Sequence, residues 1–124
     1  MTPNEMSAEV QRLVSLIDDG ISVMRKQSVA LADAEMNYRK AKAVAWVECP
    51  TDAEGKREWT AGRREAWVNA ETAELRRARD LAEAMRQAAL EAVRARRAQL
   101  SALQSLLSAH RAEAEFVRTT GGPT

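Results

Sequence analysis

The residues of this chain best suited to chemistry are arginines. Between Arg76 and Arg97 seven arginines stand against Asp80, Glu83 and Glu91. On a helix advancing about 100° per residue, Arg76, Arg79, Arg86, Arg94 and Arg97 fall within about 80° of one another. The row runs roughly 33 Å along the helix. Guanidinium forks match phosphate geometry, so such a row can track a nucleic-acid backbone. The same pattern also arises where charges flank a helical seam and pair with a neighbouring helix, and Asp18, Asp19, Asp33 and Glu35 are then the partners to expect.

Trp46, Trp59 and Trp67 form a second group. Indole rings can stack on bases or knob into a partner, or they fill the wider space where a hairpin of small residues reverses. His110, the one histidine, sits among leucines, which suits either a pH-sensitive interface or a packed, hydrogen-bonded imidazole. One cysteine, Cys49, and one histidine cannot complete a closed metal-ligand set. No nucleophile elbow, Cys/His/Asp set, phosphate-cradling loop or dinucleotide fingerprint occurs. The chain is therefore read as non-enzymatic, with no catalytic residues, no metal and no cofactor.

Long helices must position these groups. The chain has 124 residues, 30% of them charged and only 4% aromatic. An Ala- and Arg-rich composition with helical periodicity points to long helices joined by a thin seam. Nineteen basic and eighteen acidic residues nearly cancel, so net charge alone implies no polyanionic partner. A single cysteine precludes an internal disulfide and fits a reducing compartment. No apolar run approaches the roughly 20 residues needed to span a bilayer, and the first residues lack a signal-peptide pattern. The cytoplasm, without membrane contact, is the expected location.

Thr2-Pro3-Asn4-Glu5 reads as a capping box with proline at the first helical position. Apolar residues then recur at Met6, Val10, Leu13, Ile17, Ile21, Met24, Leu31 and Tyr38, predicting a helix over 3–48. Pro50 stops it. Thr51-Asp52-Ala53-Glu54 reads as a second box, giving a turn at 49–51 and a helix over 52–118, with a break near Gly62 or Ala98 as the alternative. Residues 119–124 read as a disordered tail. The expected fold is all-α: one long antiparallel two-helix hairpin of coiled-coil type, spanning residues 1–118, with the longer second helix used for oligomerisation.

If the turn centres on Pro50, Glu5 faces Ala95, and everything from Arg96 to Val117 lacks a partner within the chain. That stretch is the most leucine-rich of the molecule. Leu100, Leu103, Leu106 and Leu107, with His110, are accordingly the expected homo-oligomer interface.

The stretch Tyr38-Arg-Lys-Ala-Lys-Ala-Val-Ala-Trp46, the acidic turn with Glu54-Gly55, and Leu103-Gln-Ser-Leu106 with His110-Arg111 resemble small helical proteins encoded by phages and prophages of actinobacteria. Such proteins tend to be encoded near phage DNA replication and recombination functions. In outline the chain is also similar to phage recombination mediators, which build rings from helical hairpins and hold single-stranded DNA. The resemblance implies an oligomeric accessory of DNA recombination or replication, with single-stranded DNA or a phage or host DNA-metabolism protein as partner. A protein-only role, as assembly chaperone, scaffold or inhibitor of a host protein, is the alternative. Small secreted hairpins with a Trp-x-Gly turn fit less well, since Trp59 is followed here by Thr60-Ala61-Gly62.

Overall fold

A computed structural model describes residues 1–50 and 59–121 of the chain. Helices hold 93% of the described residues, and no strand occurs among them. α1 spans Pro3–Glu48, α2 Ala61–Glu71 and α3 Ala73–Thr120.

The first helix begins as its sequence dictates. The Thr2 amide donates to Glu5 Oε2 at 3.2 Å, and the Glu5 amide donates to Thr2 Oγ1 at 3.1 Å, so the capping box closes in both directions. Cys49 and Pro50 lie outside the helix. The second expected box, Thr51 to Glu54, lies outside the described residues, as does the expected helix start at Asp52.

Where one helix was expected from 52 to 118, the described residues hold two. Trp59 and Thr60 are not helical, and Thr60 caps α2 by accepting the Arg63 amide on Oγ1 at 3.3 Å. A threonine competing for its own backbone is a sufficient reason for the start there. α2 and α3 then meet at Thr72, a buried polar residue. Its hydroxyl donates to the Val68 carbonyl at 2.7 Å, and its own amide donates to the same oxygen at 3.0 Å. Back-bonding of this kind bends a helix, and Thr72 sits at φ −105°, ψ 8°. The described chain thus has three helices: the α2–α3 joint falls at Thr72 and not at Ala98, and non-helical Trp59 and Thr60 lie beside Gly62.

α3 also outlasts its expected end. The Thr119 hydroxyl donates to Glu115 O and the Thr120 hydroxyl to Phe116 O, which carries the helix two residues further. Gly121 N donates to Val117 O at 2.8 Å, and the rest of the expected tail, residues 122–124, lies outside the described residues.

Contacts group the chain into two compact units, Met1–Met24 with Ala88–Thr124, and Arg25–Gln87. In each, a stretch of α1 runs antiparallel to chain from the C-terminal half. In the first unit a Cβ placed on Gly20 would lie 2.9 Å from Val93 Cγ2, and Arg96 Nη1 donates to the Leu16 carbonyl at 3.3 Å. In the second, Arg79 stacks over Tyr38 and Arg64 over Trp46. The helices are a hairpin, as the sequence led us to expect.

The register differs from expectation. With the turn centred on Pro50, Val93 would face Ser7. It faces Gly20, about three and a half turns further along α1. The close approach that Gly20 permits fixes it: Val93 fits where a Cβ is missing, and Arg96 reaches the Leu16 carbonyl. The segment from Arg96 to about His110 therefore has a partner within the chain. Leu107 is buried, by this register opposite the buried Met6, and Leu100 and Leu103 are half-buried.

Candidate functional site

The core of each unit is thin and leaves polar side chains little shelter. In the first unit Met6, Leu13, Ile17, Val93 and Leu107 are buried; in the second Tyr38, Ala45 and Val68 are. Everything else that carries function must do so near the surface.

The five arginines of the expected stripe lie on α3, but they do not form one site within one unit. Arg76, Arg79 and Arg86 belong to the second unit, Arg94 and Arg97 to the first. Arg79 and Arg86 are half-buried. Arg79 donates through Nε and Nη2 to Asp80 Oδ1 at 3.2 and 2.9 Å, and its guanidinium lies 4.6 Å from the centre of the Tyr38 ring. The Asp80 hydrogen bond holds the Arg79 pKa above the ordinary arginine value. Arg86 pairs with Glu83 at 3.1 Å, one turn back on the same helix.

These hydrogen-bonded partners are neighbours in sequence; of the α1 carboxylates that a seam would have offered, Glu35 acts on Arg79 only through the weaker attraction of its charge. Glu35 pairs instead with Arg39, four residues along α1. The physical reason is reach: on a helix surface residues three or four apart are already adjacent, and such local pairs form without any requirement on register. Arg76, Arg94 and Arg97 are exposed.

Arg96 makes a contact of a different kind. Its guanidinium crosses to the Leu16 carbonyl beside Gly20, so it links α3 to α1. The missing Cβ at Gly20 leaves the room, a close approach that only a small residue permits.

The three tryptophans are all half-buried. Arg64 of α2 lies with its guanidinium 4.9 Å from the Trp46 ring centre and also donates through Nη2 to the Trp46 carbonyl. That carbonyl belongs to the last turn of α1, where backbone acceptors lack helical donors, so a cation there serves as a cap. Arg63 stacks over Trp59 at 3.9 Å. Two indole faces are thus taken by the chain's own arginines. Trp67 adjoins Val68, and it is Val68 that is fully buried, at 0% exposure. The Arg–Trp pairing was not foreseen; a local signal was present for Arg63, four residues after Trp59, whereas Trp46 lies eighteen residues before Arg64.

Replacing Arg64 by Met keeps the aliphatic stem and removes both contacts. The expected cost is about 1–2 kcal/mol in urea unfolding, with Trp46 emission shifting as its ring is uncovered. Arg64→Lys should not restore the loss, because an ammonium lacks the planar stack. Stability unchanged in Arg64→Met would show that the cap and stack contribute nothing.

Leu106 and His110, from the expected oligomer interface, are exposed, whereas Leu107 is not. A charge placed at Leu107 would therefore report on folding before it reported on assembly. No group of three or more His, Cys, Asp or Glu side chains suited to a metal ion occurs among the described residues. Among the described residues no helix is long and apolar enough to cross a membrane.

Fold and surface together define the class: an all-helical hairpin with a thin core and exposed apolar and arginine side chains on long helices. No protein-family model matches the chain, and neither a curated protein nor a solved structure was found to match it.

Proposed function

We propose that this chain is a non-enzymatic interaction protein that works by offering helical surface to other protein chains, as a scaffold, assembly chaperone or inhibitor does. One observation carries the reading. Large apolar side chains stand exposed along both long helices, among them Met36 at 68% and Val47 at 84% on α1 and Leu81 at 59% on α3. Exposed apolar surface in this quantity on so thin a fold is surface for protein contact. The likeness to phage-encoded helical proteins adds a setting, beside DNA replication and recombination functions.

A second reading, binding of single-stranded DNA, is favoured by the exposure of Arg76, Arg94 and Arg97. The local pairs of Arg79 with Asp80 and Arg86 with Glu83 weigh against it. Titration with single-stranded DNA at two salt concentrations separates the two. The protein-contact reading expects no binding even near 50 mM salt. Were the three exposed arginines to hold phosphates, log affinity would fall against log salt with a slope of about −2, at roughly −0.7 per contact. A slope near −3.5 would require Arg79 and Arg86 to leave their carboxylates. Either slope would overturn the protein-only reading.

A further inference from the structure

We propose that the exposed face of α1 between Arg25 and Glu48 is a self-complementary seam, through which two copies of this chain pair antiparallel about Met36. The inference rests on the interaction-protein reading and names its partner, a second copy.

In the second unit α1 buries Tyr38 and Ala45. At 100° per residue, Val29, Met36, Ala43 and Val47 fall on the opposite side of the helix, and all four are exposed. Val29 is 62% exposed, and Val44, at the edge of this stripe, 45%. Two open grooves run along it. One, of about 500 Å³, is bordered by Ala32, Met36 and Lys40. The other, of about 350 Å³, is bordered by Val44, Val47 and Glu48.

Apolar exposure does not choose an occupant, but the charges beside it do. Lys26, Asp33, Lys40 and Glu48 follow one flank of the stripe, alternating in sign at intervals of seven, seven and eight residues. All four are exposed, and none pairs with another described residue. The ion pairs of α1 are made elsewhere, by Glu9 with Arg12 and by Glu35 with Arg39.

A two-fold axis between antiparallel helices sets the same flank of each against the other. With the axis between Met36 and Asn37, Asp33 stands level with Lys40 of the second copy, and Val29 with Val44 of the second copy. Lys26 comes within one residue, about 1.5 Å of rise, of Glu48 of the second copy. Each pairing is made twice, so every charge of the row meets its opposite. The groove beside Met36 then lies on the axis and is closed by its own copy. A parallel pair would instead bring Lys26 and Lys40 level with Arg25 and Arg39 of the second copy, like against like. A polyanion would meet Asp33 and Glu48 in the same row. The row's own reverse matches all four charges.

The test uses the full chain with Cys49→Ser as background. Light scattering at tens of micromolar should give the mass of a dimer. Met36→Cys, beside the axis, should form a disulfide with its own copy under mild oxidation. Val29→Cys alone should not, because its counterpart lies roughly 22 Å away along the helix. Mixed with Val44→Cys it should cross-link. Asp33→Lys should weaken the dimer about tenfold, and Lys40→Asp in the same chain should recover most of that, since the pair is restored with its sign reversed. Circular dichroism of each variant keeps misfolding apart from dissociation. A monomer in light scattering would overturn the proposal. So would Val29→Cys linking to itself, which marks a parallel pair, or a charge swap that recovers nothing. None of these results bears on DNA binding, whose own titration decides the broader reading.

Discussion

Val68→Asp should abolish cooperative unfolding of the hairpin near Trp46. Val68 is the most completely enclosed side chain of the short helix α2, at 0% exposure. A carboxylate there has no water, and its neighbour Thr72 already donates its hydroxyl to the Val68 carbonyl. Burying an unpaired charge costs well over 4 kcal/mol, or forces the group to take up a proton at a similar cost. Total stability of a domain this size is roughly 5–15 kcal/mol, so the loss consumes most of it. Val68→Ala should cost about 2 kcal/mol through lost burial and the cavity it leaves. Val47→Asp on the exposed face of α1 should stay within about 0.5 kcal/mol. Thermal melts followed by circular dichroism and by tryptophan emission compare the three. Equal midpoints for Val68→Asp and Val47→Asp would mean that α2 is not packed as described.

The second large effect is expected at Gly20, and it carries a change of sign. Gly in a helix interior ordinarily costs about 1 kcal/mol relative to Ala, so Gly20→Ala would stabilise a solvent-facing position by that amount. Here the new Cβ would lie 2.9 Å from Val93 Cγ2, and Val93 is 1% exposed with a stiff, branched side chain. Overpacking of this kind costs about 1–3 kcal/mol, so Gly20→Ala should be neutral to destabilising and Gly20→Leu clearly destabilising. With Val93→Ala in the background the obstruction is gone, and Gly20→Ala should then stabilise by about 1 kcal/mol. The double-mutant cycle, read from urea midpoints, isolates that coupling. If Gly20→Ala gains the full helix-propensity increment in the unaltered chain, the helices do not approach at Gly20 and the register is different.

That register separates what could be read along the chain from what could not. Local signals were legible. Thr2, Pro3 and Glu5 announce the start of α1, Pro50 its stop, and apolar spacing of three and four the long helices between. These are interactions over three or four residues, and the residues that make them are adjacent in the sequence. Thr60 as a cap was harder to see, since Arg63 offers no reciprocal carboxylate and the box before Glu54 reads more strongly.

The placing of the arginines along one long helix was legible by type and spacing, but their hydrogen-bond partners were not. Arg79 with Asp80 and Arg86 with Glu83 are local pairs that needed no second helix, whereas the expected pairing with α1 carboxylates presupposed a register.

By itself, then, the sequence determined that this protein is helical, where its first helix begins and ends, and that its apolar residues lie in stripes. Only the tertiary structure decided which stripe meets which. Gly20 against Val93 and Arg96 against Leu16 bring together residues more than seventy positions apart, and a shift of the hairpin by one turn preserves every local preference while changing each of those contacts. Periodicity repeats along a helix and so cannot choose among such shifts. A missing Cβ beside a valine, and a guanidinium within reach of one carbonyl, can. That choice buries Leu107, leaves Leu106 exposed, and so sets which face of α3 remains for a partner.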